Sequence, residues 1–242
     1  MATLAVGPGA GSYSVDQSFF VKLAIALAGL TVTGFILNAA MGRVDIPTIP
    51  VWIHLHAVAM LAWLALFIAQ NRLAASGNIA LHRKLGWAGA FLVCAIVGLT
   101  CFSGVMAMAM GRQPPFFSPP FFLSLVETEA VVFAGLVFAG ISSRGDTQTH
   151  RRLMFGATIV ASDPGISRIL PMPLLGPWGP WLSLLVQLGF VAAMVMHDRK
   201  VLGRVHSATF TAGLVIALSH VVVALAARSA PVIALATRIA PH

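Results

Sequence analysis

Long runs of apolar residues dominate the pattern along this chain. Seven of them approach the length of about twenty residues that an α-helix needs to cross a ~30 Å hydrocarbon layer. Their apolar residues are continuous and do not alternate with polar ones, which favours helices over the strands of a membrane barrel. The pattern predicts an all-α integral membrane bundle of seven transmembrane helices, with residues 1–242 as a single domain. The predicted helices cover approximately residues 18–41, 51–70, 85–110, 119–142, 153–172, 179–196 and 207–227.

Composition supports the membrane prediction. Hydrophobic residues make up 58% of the chain and charged residues only 9%, against about 25% charged residues in a typical soluble domain. A net charge of +8 would suggest nucleic-acid binding in a soluble protein. Here the basic residues lie between apolar runs, where anionic headgroups and membrane orientation account for them. We therefore expect a lipid bilayer as the surroundings and exclude nucleic acid as a partner.

Basic residues are divided unequally between the two sets of loops. Because the loops richer in Lys and Arg usually face the cytoplasm, the division predicts a cytoplasmic N-terminus, an external C-terminus and a location in the inner membrane. The cytoplasmic set comprises Lys22, Arg72, Arg83, Lys84, Arg144, Arg151, Arg152, Arg199, Lys200 and Arg204, and the opposite set Arg43, Arg112, Arg228 and Arg238.

A histidine next to basic residues recurs at the cytoplasmic entry of three apolar runs: HRKLGW at 82–87, HRRLMF at 150–155 and HDRKVLGRVH at 197–206. The recurrence suggests a weak repeat of helical hairpins. Two interpretations stay open. In the first, the motifs only anchor and orient the hairpins at the membrane surface. Alternatively, His82, His150 and His206 converge on a metal, a haem or a quinol headgroup, with arginines such as Arg151 neutralising acidic groups of the ligand.

Polar residues inside the predicted spans form a second set of candidates, because such residues are costly in a bilayer and usually functional. Helical depth, at ~1.5 Å per residue, puts most of them in the outer half of the membrane. Residues two apart point in nearly opposite directions on a helix, so only one residue of each close pair can face the bundle centre. The candidates are His54, His56, Glu127, Glu129, Asp163, Arg168 and His220.

The segment ASDPGISRIL, residues 161–170, predicts a break in the fifth helix, since Pro164 removes a backbone donor and clashes with the preceding turn. One interpretation is a kink closed by an Asp163–Arg168 ion pair. The other is the wall of a polar cavity, in which a histidine and carboxylate set could bind a divalent metal, relay protons or hold a quinone. The metal-ligand candidates are His54, Glu127 and Asp163.

Two stretches resemble known families. HAVAMLAWLALFIAQNRLAASGNIALHRKLGW, residues 56–87, resembles the core helices of ascorbate-reducible transmembrane b-type cytochromes. This resemblance implies that His56 and His82 are haem ligands. THRRLMFGATIVASDPGISRILP, residues 149–171, more closely resembles a bacterial family of multi-pass membrane proteins of unknown function with an HR.WM motif and a later arginine. That resemblance marks His150, Arg151 and Arg168 as family positions without a known role.

Three functions of different classes follow as hypotheses. The first is a redox protein that binds haem b or a related metal or quinone cofactor, with His56 and His220 as an outer pair and an inner set drawn from the motif histidines. The second is a non-catalytic accessory or assembly subunit of a larger membrane complex, without a cofactor, which the aromatic loop PPFFSPPFF (114–122) would suit. The third is a metal-dependent enzyme or a transporter built on the outer histidine and carboxylate residues. Whether the protein is an enzyme stays open.

Overall fold

The computed structural model describes residues 10–240, with side chains from residue 16 onward, and every regular element in this range is a helix. Short 3-10 turns at Ile46–Thr48 and Gly176–Trp178 precede α2 and α8. The α-helices are α1 Ala10–Ala40, α2 Val51–Ala75, α3 Ile79–Ala109, α4 Pro119–Ser142, α5 Thr147–Ala161, α6 Asp163–Ile169, α7 Met172–Leu175, α8 Gly179–Leu202, α9 Ser207–Ala226 and α10 Ala230–Ile239.

The described residues confirm the all-α class, and six helical segments are long and apolar enough to cross a membrane, as expected of a helical membrane protein. They correspond to α1 to α4, to α8 with the short helix before it, and to α9. The predicted run 119–142 coincides with α4, and the run 51–70 falls within α2, which continues to Ala75. The prediction of seven continuous transmembrane helices is not confirmed, because the fifth predicted run does not form one long helix.

The fifth run is divided between α5 and α6, and the break occurs at Ser162. The amide of Ser162 donates to the carbonyl of Ile159, which ends the regular helical pattern, and α6 then begins at Asp163 with Pro164 in its first turn. Neither half is long enough to cross a bilayer alone. The two halves follow each other beside α1: Arg151 at the start of α5 contacts Asp16, whereas Gly165 in α6 approaches Gly34.

Helix α5 lies at the centre of the bundle and packs against α4, α9, α8 and α1. Its Phe155 ring is fully buried, with its centroid 5.1 Å from that of Phe20 on α1 and 4.8 Å from that of Phe67 on α2. Trp63 of α2 contacts Phe133 of α4 edge-on, with ring centroids 5.2 Å apart. Aromatic packing thus links α5 with α1 and α2, and α2 with α4.

The C-terminal helix α10 packs on α4 and α3, at the end of the bundle that carries the loop between those two helices. Its Ala236 is buried together with Met108 and Leu123. In the nearby loop, the Phe117 ring contacts Phe116 edge-on and Phe121 at a tilt, with centroids 4.7 Å and 5.1 Å away. The rings of this predicted interaction loop therefore pack largely on one another.

Candidate cofactor-binding site

A cavity of about 730 Å³ opens among α2, α3, α4 and α5, near the loops that close the α2–α3 and α4–α5 hairpins. This size lies within the range of about 300–1,000 Å³ that is usual for small-molecule sites. Two of the predicted histidines, His82 on α3 and His150 on α5, line it together.

Each of these histidines is fixed by a hydrogen bond to the preceding helix of its own hairpin. Nδ1 of His82 donates to the carbonyl of Gln70, 3.3 Å away, and Nδ1 of His150 donates to the carbonyl of Gly140, 2.8 Å away. A carbonyl only accepts, so Nδ1 is the donor in each ring, and in the neutral form of the imidazole Nε2 then carries the lone pair. The first two histidine motifs therefore perform the same structural task, as the suspected hairpin repeat predicts.

The two imidazole rings lie next to each other across the cavity. Their centroids are 6.3 Å apart and their planes meet at 83°. Among the residues that the structure describes, none forms a hydrogen bond with Nε2 of either ring. A neutral imidazole held through Nδ1 by a carbonyl, with Nε2 free, is the form in which histidine usually binds a metal centre.

The remaining cavity wall combines aromatic and cationic side chains. Trp63, Phe67, Trp87 and Phe155 supply apolar surface. The indole nitrogen of Trp63 and Oε1 of Gln70 are buried without a hydrogen-bond partner in the described chain, so the wall retains polar atoms that a ligand can satisfy. Arginines also line the cavity: Arg83, Arg144 and Arg151.

Arg151 belongs to a buried polar network beside the cavity. Its guanidinium forms an ion pair with Asp16 of α1, hydrogen-bonds Gln148 at 3.0 Å and lies 3.8 Å from the centroid of the Phe20 ring. The other carboxylate oxygen of Asp16 accepts from Nε2 of His197, 2.9 Å away. The sequence pattern predicts Arg151 as a ligand or surface residue but does not single out Asp16, although the chain has only seven acidic residues and a buried one needs a partner.

Arg152 points into a different part of the core, where its side chain is completely buried and paired with Asp198 of α8. Asp198 also accepts hydrogen bonds from the hydroxyl of Thr209 at 2.5 Å and from the amide of His206 at 3.0 Å. A surface-anchor role for the arginines of this motif is therefore wrong for Arg151 and Arg152, because both side chains are buried.

His206 does not join His82 and His150. It caps the start of α9, where its Nδ1 accepts from the amide of Ala208 at 3.1 Å. Burial and the nearby Arg152 lower the pKa of His206. The predicted inner set of three histidines thus separates into a pair at the cavity and a helix cap.

At the other end of the bundle, the predicted metal ligands lie in different surroundings. His54 is exposed on α2, Glu127 lines a groove beside Cys101, and Asp163 is buried with Ser183. Among the described residues there is no group of three or more histidine, cysteine or acidic side chains that could hold a metal ion. The set of His54, Glu127 and Asp163 is therefore not brought together.

The predicted Asp163–Arg168 ion pair is also not formed in the described chain. Arg168 instead donates to the carbonyl of Pro164 at 2.6 Å and lies 4.2 Å from the centroid of the Phe35 ring. Asp163 accepts hydrogen bonds from Ser183 and Gln187 of α8. At the break between α5 and α6, Asp163 therefore interacts with α8 and Arg168 packs on α1, and the two charged side chains do not form an ion pair with each other.

The remaining outer candidates are His56 and His220, which the sequence predicts as a pair of haem ligands. His56 is partly buried and its Nδ1 has no hydrogen-bond partner among the described residues, whereas His220 is buried on α9 and interacts electrostatically with Asp163. The structure records no contact between these two rings within the described range.

The His56–His82 combination implied by the cytochrome resemblance does not describe one site. His56 lies near the start of α2 and His82 near the start of α3, at opposite ends of one hairpin, separated by about 28 Å of helix rise. Comparisons with protein-family models, with curated proteins and with solved structures find no match for this chain. Both family resemblances stay predictions.

Proposed function

We propose that this protein is a membrane electron carrier that binds a b-type haem in the cavity lined by His82 and His150. The observation that carries the proposal is the pair of imidazoles on one cavity, each held through Nδ1 and each without a hydrogen-bond partner for Nε2 among the described residues. The sequence leaves three motif histidines as possible inner ligands. The cavity reduces them to two, one from each of two successive hairpins.

The spacing of the rings would allow His82 and His150 to hold one metal centre together. A metal–nitrogen bond to histidine is about 2 Å long, so two imidazoles that share a metal ion have ring centroids roughly 6 Å apart. The distance between the His82 and His150 centroids is 6.3 Å. Bound haem would supply one-electron exchange between ferric and ferrous iron.

The other cavity residues have roles that fit a porphyrin. Trp63, Phe67 and Phe155 would cover its apolar faces and exclude water, and the exposed guanidinium groups of Arg83 and Arg144 would pair with its two carboxylates at the cavity mouth. The carbonyls of Gln70 and Gly140 fix the ring orientation and make each Nε2 a stronger donor to the metal.

We further infer that α5 and α6 together make a seventh crossing of the inner membrane, with the N-terminus in the cytoplasm. The contacts of Arg151 with Asp16 and of Gly165 with Gly34 support this inference, since they align α5–α6 along most of α1. The haem cavity would then open at the cytoplasmic side.

The test is an absorption spectrum of the full chain, purified in detergent after expression with a haem supply. We expect a sharp Soret band and a reduced-state alpha band from haem with two histidine ligands. His82→Asn and His150→Asn are the informative variants, because the Asn side-chain amide can still donate to the carbonyl of Gln70 or Gly140 but offers no Nε2. Each should fold and lose most of the bound haem.

His54→Asn is the matched control, since His54 is exposed on α2, and it should leave the spectrum unchanged. Loss of haem in His56→Asn and His220→Asn, with retention in the two cavity variants, would assign the cofactor to the outer pair. A colourless wild-type protein that stays colourless after incubation with haemin would overturn the proposal.

A further inference from the structure

The guanidinium of Arg168, near the end of α6, forms no ion pair with any side chain in the described range. It donates to the carbonyl of Pro164, 2.6 Å away, and lies 4.2 Å from the centroid of the Phe35 ring on α1. A guanidinium has five N–H donors and a permanent positive charge. Most of these donors are therefore open to an acceptor that lies outside the described chain.

Asp163, the acidic residue of the same helix, faces a different neighbour. Residues five positions apart on a helix point about 140° apart. Asp163 accepts hydrogen bonds from Ser183 and Gln187 of α8, whereas Arg168 packs on α1. The close glycine contact between α1 and α6 holds the Arg168 side of α6 against α1. The charge of Arg168 thus stays on the α1 side of this helix.

A second arginine reaches the same end of α6. Arg43 follows α1, is exposed, and donates from its guanidinium to the main-chain carbonyl of Arg168, 3.4 Å away. It also belongs to none of the ion pairs formed by the described residues. Carbonyls four residues apart on a helix are separated by about one turn, roughly 6 Å. The two guanidinium groups, one at the carbonyl of Pro164 and one at that of Arg168, are therefore close enough to share one anion.

The surface beside these arginines is apolar and open. The Phe35 ring, on which Arg168 packs, is itself 45% exposed, and the adjacent Ile36 is 61% exposed. Met41, directly after α1, is 58% exposed. Because α1 is long and apolar enough to cross a membrane, we expect these side chains to face lipid hydrocarbon. A cationic pair thus borders an apolar wall, as a binding site for a charged lipid requires.

We propose that Arg43 and Arg168 bind the phosphate of an anionic phospholipid, whose acyl chains lie along Phe35 and Ile36. Arginine forms strong, often bidentate hydrogen bonds with phosphate, and a phosphate placed between the two guanidinium groups accepts from both. Basic sites between transmembrane helices bind lipid headgroups in this way. A phospholipid matches both the charge and the apolar wall, whereas a free phosphate matches only the charge. The site is separate from the histidine cavity and does not depend on a haem.

Native mass spectrometry of the full chain in detergent tests the proposal. Phosphatidylglycerol, which is anionic, and phosphatidylcholine, which is zwitterionic, are added with the same acyl chains, and the Kd of the first bound lipid is measured. We expect phosphatidylglycerol to bind more tightly. Arg43→Gln and Arg168→Gln should each weaken the binding of phosphatidylglycerol about fivefold, as loss of one basic residue near an anionic lipid does, and should change that of phosphatidylcholine less.

Arg228→Gln is the matched control. It removes an exposed arginine from the turn between α9 and α10, two helices that pack on α4, and should leave both affinities unchanged. Arg43→Gln alters only an exposed loop side chain, so it keeps the test valid even if Arg168→Gln does not fold. Equal affinities of the wild type for the two lipids, an unchanged affinity in Arg43→Gln or an equal loss in Arg228→Gln would overturn the proposal. Displacement of the lipid by millimolar inorganic phosphate would assign the site to free phosphate and overturn the lipid assignment.

Discussion

Arg152 and Asp198 form the most deeply buried ion pair in the described part of the molecule, with both side chains 0% exposed. Asp198 also accepts from Thr209 and from the backbone of His206, so a single carboxylate joins α5, α8 and the start of α9. Taking two charges out of water is costly, and the pair persists because each charge has several partners.

Asp198→Ala should destabilise the protein strongly, because it leaves the guanidinium of Arg152 buried without its counter-ion. Breaking a buried pair typically costs about 3–5 kcal/mol. The apparent melting temperature in detergent, followed by size-exclusion chromatography, measures the effect. Asp45→Ala in the exposed α1–α2 loop is the control and should change it little. If Arg152→Met combined with Asp198→Leu were no more stable than Asp198→Ala, an unpaired charge would not be the cause of the loss.

At the scale of elements, the contact between α1 and α6 depends on two glycines. A Cβ atom at Gly34 would lie 2.0 Å from the carbonyl oxygen of Gly165, and a Cβ at Gly165 would lie 2.7 Å from Cα of Thr31. These are contacts with backbone atoms, which cannot rotate away. Small residues allow such close approach between membrane helices, where packing and not water exclusion drives association.

Gly34→Ala should therefore force α1 and α6 apart and lower the stability by about 1–3 kcal/mol, as overpacked sites usually do. Gly29→Ala is a matched control on the same helix, since a Cβ at Gly29 meets nothing within 4 Å. The comparison uses thermal unfolding of the two variants in the same detergent. Equal melting temperatures of the two variants would contradict the close approach of α1 and α6 at Gly34.

At the scale of the whole molecule, the orientation of α5–α6 decides how many times the chain crosses the membrane. The loop at Gly145 precedes α5, and the exposed turn at Pro177 follows α6. If α5–α6 crosses, these two positions lie on opposite faces and α10 lies on the outer surface beside the ends of α3 and α4.

Single cysteines at Ser76, Ser118, Gly145 and Pro177 test this arrangement in a chain in which Cys94 and Cys101 are replaced by Ala. An impermeant thiol reagent applied to intact cells should label positions 118 and 177 but label 76 and 145 only after the membrane is opened. Positions 76 and 118 are the control for the well-defined α3 crossing. Labelling of 145 and 177 from the same face would exclude the seventh crossing.

Much of the helical architecture could be read from the sequence, because in a bilayer each span must satisfy its own backbone hydrogen bonds and remain apolar over a set length. Both requirements are local properties of a segment, so the runs 51–70 and 119–142 located α2 and α4 closely. The break before Pro164 also depends only on the sequence of its own segment, and the end of α5 at Ala161 confirms it. The prediction that His82, His150 and His206 converge on one ligand is not supported, because His206 caps a helix.

Only the tertiary structure decided which polar side chains meet. Arg151 and Arg152 are neighbours in the sequence, but consecutive residues point about 100° apart on a helix. One therefore pairs with Asp16, 135 positions away, and the other with Asp198, 46 positions away. His82 and His150 face one cavity because two hairpins pack side by side, and Asp163 meets Ser183 and Gln187 of α8 because α6 packs on that helix. These pairings depend on the rotation and depth of whole helices, which are set by packing between helices and are not encoded in the apolar pattern of any one of them.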